Sequence, residues 1–483
     1  MTRPNAPELP DGVVAFVKRD CPTCELVAPV LAQLDKSAAL TVFTQDDPAF
    51  PPGVDARDDR SLEVSWHHDI EAVPTLLRVE SGREVARALG WHRGEWEELT
   101  GVTGLGASLP ETRPGCGSLS VDPNFAADLE LRFSDSPLRA RRVEIASQED
   151  DIEAMYRRGW SDGLPLVPPT EKRVLAMLGG TSRDPQEVVA TVPPDLATCT
   201  VEKVAINAVM AGCKPEYLPV VLAAVEGACT SEFNIHGLLA TTMPVGPVLI
   251  VNGPIRRRIG MNSGINLLGQ GNRANSTIGR ALQLVVRNVG GGRPGGVDRA
   301  TQGNPGKVGF CFAEDEEGSP FTPHSTSLGV PAGVDCVTLF PGEGPRVITD
   351  QLSRRPESLL KSFLASLLAV FHPKLGMGCD VVLVISPEHA SRFRDAGWDR
   401  ERLVSELEKG LLVPGERMVR GVDGIDEGIP EAFRKRSFPK FRPGGTFLVH
   451  GGGGAGLFSS ILAGWVSGEM GSQPTIREIA PWM

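Results

Sequence analysis

The chain lacks any apolar run near the ~20 residues a membrane-spanning helix needs, so no span is expected. Its opening residues, MTRPNAPELPDGVV, have no apolar core of the kind a secretory leader carries, so none is expected there. Positive charge is in deficit. The 49 Lys+Arg against 60 Asp+Glu leave a formal charge of −11, which argues against nucleic acid or an anionic membrane as a partner. No repeat or low-complexity period accounts for the 55 Gly and 40 Pro, which read instead as turns and Gly-rich loops. There is one CxxC and no second CxxC or CxxH, so the usual paired spacing of a zinc site is missing. The nine cysteines are odd in number and scattered, which excludes a disulfide scaffold and points to a reducing, cytoplasmic setting. In that setting a CxxC is catalytic or metal-binding more often than structural.

What is present is 483 residues of ordinary globular composition, enough for two or three domains. GVVAFVKR (12–19) is an apolar run of strand length. Cys21-Pro22-Thr23-Cys24 follows, and then the amphipathic segment ELVAPVLAQLDKS. ALTVFTQDD (39–47) predicts a second strand. AVPTLLRV and REVARALGW predict a strand pair around Glu80-Ser81-Gly82, and HRGEWEELTGV a closing helix.

Over residues 10–103 this order resembles a thioredoxin-like domain. The resemblance rests on the CPTC opening a helix, on Val73-Pro74-Thr75 ahead of a strand, and on the strand–turn–strand–Gly–helix tail. It implies a cis bond at Pro74, facing the cysteines. Apart from the resemblance, a cysteine at a helix N-terminus meets unpaired amides and the positive end of the helix dipole, which favour its thiolate. Cys21 is therefore read as the exposed nucleophile and Cys24 as the thiol that resolves the mixed disulfide. Lys18 and Arg19 sit near enough in sequence to help. The chain departs from the Trp-Cys-Gly-Pro-Cys core of thioredoxins, and Asp20 before Cys21 opposes thiolate formation. A thioredoxin fold kept only for docking is the competing reading.

GLGASLPETRPGCGSLSVDP falls within a Gly/Pro-rich linker at 104–139. Its Cys116 is either a lone loop cysteine or a tethered relay between Cys21–Cys24 and a distant site.

The rest, 140–483, reads as a large α/β domain, one or two subdomains in extent. Ser147 should cap a helix through MYRRGW, and Thr170 another. TVEKVAINAVMAGC and PEYLPVVLAAVEGAC predict a helical hairpin whose Cys213 and Cys229 are core thiols. The loop at Gly269, Gly271 and Asn272 leads into a helix. Its amides, with Arg273, Asn275 and Arg280, read either as an anion or polar-ligand site or as a capped Gly-rich connection. No GK[ST] follows, so it is not a P-loop. Cys311, on a strand, runs into Glu314 and its acidic neighbours, with His324 beyond. That is a catalytic constellation with Glu314 as a general acid, or else a solvated acidic loop. His389 starts a helix after a buried strand. His450 ends another strand, followed by a nest at Gly452 and Gly453 and a predicted helix, GLFSSILAGW. If these strands share a sheet, their polar loops line one crevice.

Four phrases, RGWSDGLPLVPPT, GNRANSTIGRAL, SPEHASRFRDAGW and GGGGAGLFSSILAGW, resemble a poorly characterised bacterial family. Such proteins are associated with small partners bearing a selenocysteine- or cysteine-Gly-Ser-Cys motif. The resemblance implies thiol or selenol chemistry and a thiol or selenol partner protein. The leading expectation is a thiol-dependent oxidoreductase. Its CxxC domain passes electrons to a small polar or anionic substrate, or to a partner thiol, at the large domain. A non-redox lyase or hydrolase using His389, His450 and the acidic cluster is the first alternative. A redox-sensing ligand-binding protein is the second. No cofactor beyond the disulfide is evident, though flavin, metal and homo-oligomerisation stay open.

Overall fold

A computed structural model describes residues 6–133, 137–141, 143, 149–469 and 471–483, the side chains at 127, 130 and 131 excepted. Ser147 lies outside the described residues. The helix it was expected to cap, Asp151–Arg157, begins instead at Asp150, whose carboxylate accepts from the Glu153 N–H at 2.9 Å. The chain forms two compact units, Met1–Pro137 and Leu138–Met483. Among the described residues no helix is long and apolar enough to cross a membrane.

The described residues of the first unit form nine strands: β1 Gly12–Val17, β2 Leu40–Thr44, β3 Ala56–Asp58, β4 Ala72–Val73, β5 Thr75–Glu80, β6 Arg83–Leu89, β7 Trp91–His92, β8 Thr112–Arg113 and β9 Cys116–Gly117. Five form a sheet in the order β3-β2-β1-β5-β6, with β1, β2 and β3 parallel and the β5–β6 hairpin antiparallel. Ser81 and Gly82 make the hairpin turn, both at positive φ. The helix Pro22–Leu34 buries Val27, Val30, Leu31 and Leu34 against that sheet, where Phe16 and Phe43 stack at 5.3 Å. The expected linker is built into this unit as far as Phe133. β8 pairs with β7, β9 pairs with β4, and the helix Ala126–Phe133 packs on Glu63–His67. Small residues explain the close fit. A Cβ at Gly90 would stand 2.7 Å from the Gly115 nitrogen.

In the second unit the helices Asp151–Arg157 and Glu171–Leu178 precede a hairpin, β10 Val188–Val192 and β11 Ala197–Thr200. A side hairpin pairs β17 Leu412–Pro414 with β18 Ser437–Pro439. Its main sheet takes β12 Gly246–Asn252, β13 Cys311–Ala313, β14 Cys336–Gly342, β15 Arg346–Thr349, β16 Cys379–Ile385, β19 Thr446–His450, β20 Phe458–Val466 and β21 Thr475–Glu478. The sheet has two halves of one topology. In the first, β13 runs parallel to β12, β14 antiparallel to β12, and β21 antiparallel to β14. In the second, β19 runs parallel to β16, β20 antiparallel to β16, and β15 antiparallel to β20. The fourth strands are exchanged. β15 follows β14 in the chain but completes the second half, while β21 follows β20 but completes the first. The halves join where Gly342 pairs with Gly464.

The sheet curls until its edges meet. The Asp315 N–H, just past β13, donates to the His450 carbonyl at the end of β19, 2.9 Å away. Alternation along the strands sorts the core. Val248, Ile250, Phe312, Phe340, Val382, Val384, Val449 and Leu462 fill the interior. Leu249, Val251, Val337 and Leu339 pack under Val201–Ala211, Leu218–Ala228 and Arg273–Asn288. Val381, Leu383 and Ile385 pack under Pro356–Leu368 and Arg400–Gly410. The expected helix at 457–465 is the strand β20, because its apolar residues fill both faces of a buried sheet position beside β16. A Cβ at Gly342 would stand 2.9 Å from Val248 Cγ2 and 3.0 Å from Phe340 Cδ1. Gly342→Val should therefore destabilise the second unit by about 1–3 kcal/mol, seen as a lower urea midpoint. An unchanged midpoint would mean that the junction yields freely.

Candidate functional site

In the first unit, three cysteines meet at one helix end. Cys21 is the N-cap of Pro22–Leu34, and its sulfur accepts from the Cys24 N–H at 3.3 Å. When protonated it donates to the Val73 carbonyl at 3.4 Å. The Val73–Pro74 peptide is cis. In the β4–β9 ladder, Cys116 is the register partner of Val73. Residues 114–118 are fastened there from several directions. Thr23 Oγ1 donates to the Pro114 carbonyl at 2.8 Å, Lys18 Nζ to the Gly117 carbonyl at 2.9 Å, and the Ser118 N–H to the Glu71 carbonyl at 3.0 Å. Gln45 Nε2 holds Ser118 Oγ at 2.7 Å.

These positions correct three expectations. Cys21 is 1% exposed, hence not an exposed thiol, while Cys116 is partly exposed. Cys116 is no tethered relay, because its strand is fixed beside Val73. Lys18 donates to the Gly117 carbonyl and Arg19 pairs with Asp47 at 2.6 Å, and the lowering of Cys21 comes chiefly from the neighbouring thiols and amides and not from these cations.

The Cys21 thiol is nonetheless lowered to about 5. The Cys24 thiol donating to it is the largest cause. Burial works against the shift, and the Cys116 thiol and the Cys24 and Thr23 amides add to it. Burial and that donated hydrogen bond push the Cys24 thiol far up. Cys116 is also raised, by burial first and then by its bond to Cys21. One thiolate is thus shared among three sulfurs. The ultraviolet absorbance of the reduced protein should show one thiolate appearing with a midpoint near 5 and lost in Cys21→Ser. A midpoint in the range of free cysteine would sink this assignment.

In the second unit the C-terminal ends of β12, β13, β16 and β19 come together. Glu314, 0% exposed, is their hub. Asn252 Nδ2 and the His324 N–H each donate to its Oε2 at 2.7 Å, and the His450 N–H to its Oε1 at 3.4 Å. Arg400 stands 3.8 Å from Oε1 and donates to the Leu448 and Thr322 carbonyls. Burial pushes the Glu314 carboxyl up, against Arg400, Asn252 and the two amides. With both oxygens engaged by donors, Glu314 is a fastener of the strand ends and not the expected general acid. Burial lowers His324 to about 3. His389 lies between Ser459 Oγ at 2.8 Å and the Asp350 carbonyl at 3.1 Å, with both ring nitrogens used. His450 differs. Its Nδ1 meets the Asp315 carbonyl at 3.0 Å, while its buried Nε2 has no hydrogen-bond partner among the described residues. Cys311 is buried and its thiol raised by desolvation, which does not suit a nucleophile.

Both cations assigned to the expected anion loop are engaged by described residues. Arg280 makes a fork to Asp162, with both contacts at 2.8 Å. Arg273 donates to the Gly212 carbonyl at 2.8 Å. Asn272 Oδ1 caps the Asn275 N–H, and the Asn275 side chain bonds both the N–H and the carbonyl of Asn262. A Cβ at Gly269 would lie 2.1 Å from Asn266 Oδ1, and Gly271 holds a φ of +112°. These residues serve loop packing. The Gly452 N–H donates to the Ser263 carbonyl at 2.9 Å, and Gly453 lies beside Ile265. The glycine loop then enters β20 and not a helix, so it lacks the helix N-terminus that a dinucleotide loop supplies. The sequence marks Asn252 only as a strand end and does not single out Arg400. An Asn closing a wholly apolar strand was the available signal for the first. Nothing local marked the second.

No family model matches the chain, and no solved structure does. A stretch of 86 residues, 18% of this chain, is 28% identical to thioredoxin H-type 1 of Nicotiana tabacum. The match spans 60% of that protein's length. With the sheet order and the CPTC position, the similarity supports a thioredoxin-like domain in the first unit.

Proposed function

We propose that this protein is a thiol–disulfide oxidoreductase whose working pair is Cys21 and Cys24. The observation that carries the reading is the Cys21 sulfur, lowered to about 5 at a helix N-terminus with the Cys24 thiol hydrogen-bonded to it. The similarity to a plant thioredoxin points the same way. A thiolate is the attacking species in disulfide exchange. A second thiol one helical turn away closes the ring and releases the product. In this reading the second unit receives the substrate, a small polar or anionic molecule or a partner's thiol or selenol. The strand-end cluster around His450 is the place proposed for it.

The test is equilibration of the full chain with glutathione buffers of graded poise, followed by thiol trapping and mass mapping. A reversible two-electron Cys21–Cys24 couple is the expected result. Thiols that never pair under oxidising buffers would reject the reading.

A further inference from the structure

We propose that Cys116 is the thiol that meets the external disulfide, with Cys21 and Cys24 acting behind it. This rests on the oxidoreductase reading above. Cys21 and Cys24 are 1% and 0% exposed, whereas Cys116 is partly exposed. Residues 114–118 cross the face of the CxxC and are anchored to Thr23, Lys18, Gln45 and Glu71. A disulfide exchange needs the attacking sulfur in line with the bond it breaks. Any external disulfide therefore comes to Cys116 before it comes to Cys21. The ladder that sets Cys116 opposite Val73 also sets it beside Cys21, whose sulfur reaches the same Val73 carbonyl.

The electron path balances with a disulfide RSSR as the only oxidant. The Cys116 thiol passes its proton to the Cys21 thiolate through their hydrogen bond. The Cys116 thiolate attacks one sulfur of RSSR, a Cys116–S–S–R mixed disulfide forms as the S–S bond breaks, and RS⁻ leaves and takes the Cys21 proton as RSH. Cys21, deprotonated again, attacks the Cys116 sulfur. A Cys21–Cys116 disulfide forms and the second RS⁻ leaves as RSH. The Cys24 thiol then gives up its proton and its thiolate attacks the Cys21 sulfur; the expelled Cys116 thiolate takes that proton as a thiol, the second RS⁻ having taken one from solvent. The sum is one dithiol oxidised at Cys21–Cys24 and one RSSR reduced to two RSH. Cys116 ends as it began.

The probe is glutathione disulfide added to the reduced full chain, with acid quenching and mass mapping at early times. Glutathione found first on Cys116 is the expected result, and glutathione found first on Cys21 overturns the inference. Cys116→Ser supplies the second measurement, since serine keeps an O–H toward Cys21. Its Cys21–Cys24 pair should oxidise at least ~10-fold more slowly, beyond any change in its thiolate titration, yet still form at equilibrium. Oxidation at the parent rate overturns the inference while leaving the Cys21–Cys24 couple standing. Failure of Cys21 and Cys24 to pair in the parent protein would instead remove the oxidoreductase reading itself, and this inference with it.

Discussion

An Arg400→Ala protein should lose about 3–5 kcal/mol of stability in its second unit, the cost of removing one partner of a buried ion pair. Arg400 is 5% exposed and Glu314 0%. The guanidinium faces Glu314 Oε1 at 3.8 Å and also holds the Leu448 carbonyl at 2.9 Å and the Thr322 carbonyl at 2.8 Å. Without it, two buried carbonyls lose their donor and the buried Glu314 carboxyl loses its positively charged neighbour. Glu314 in turn collects N–H groups from Asn252, His324 and His450, so the defect spreads to the ends of β12, β13 and β19. Urea unfolding followed by far-ultraviolet dichroism reads the loss, and hydrogen exchange at β13 and β19 localises it. Arg400→Lys should recover little, because one ammonium cannot serve three separated acceptors. A loss under about 1 kcal/mol would show that the cluster is solvated and not a fastener.

Cys21→Ser should cut release of the second glutathione by the reduced chain at least about a thousandfold, as removing a nucleophile outright does, because the mixed disulfide on Cys116 loses the thiolate that resolves it. Serine at that position keeps the cap of the helix and loses the thiolate. The fold should persist, which the dichroism spectrum checks, so lost turnover reports chemistry. Cys24→Ser should keep the low-pH thiolate in weaker form, since its largest support is the Cys24 thiol. It should form no Cys21–Cys24 disulfide. Undiminished turnover in Cys21→Ser would move the chemistry to another thiol, and the rate in Cys116→Ser would then identify it.

The first unit was legible because its signals are local. A strand, CPTC, an amphipathic run and Val73-Pro74 stand in reading order, and each element is short and self-contained. The contact that changes its chemistry is not local. Cys116 lies far from Cys21 in sequence, inside a Gly/Pro stretch that looks like any connection. Only the β4–β9 ladder and the side-chain bonds from Thr23 and Lys18 bring it home. In the second unit, buried strands announced themselves as apolar runs, and their shared sheet followed the expectation of converging loops. The roles assigned there fared less well. Arg273, Arg280 and Asn275 look like ligand groups by residue type, yet each is engaged within the fold. Sequence shows that a polar group is present and not whether a partner already holds it. β20 was misread because Phe458–Val466 has no clean period of two. Both of its faces are covered, so alternation vanishes.

The exchange of β15 and β21 has a consequence for how the chain is made. A ribosome releases β12, β13 and β14 first, but the strand that finishes their half, Thr475–Glu478, emerges only after β15, β16, β19 and β20. Until then the outer edge of β14 is an open template of unpaired amides. The nascent second unit cannot lock one half at a time, as a chain of independent modules would. It must wait and close in a single late step, a topology of distant pairings that folds slowly. The first unit, complete by Pro137, has no such delay and can hold its thiols in place while the rest is still being translated.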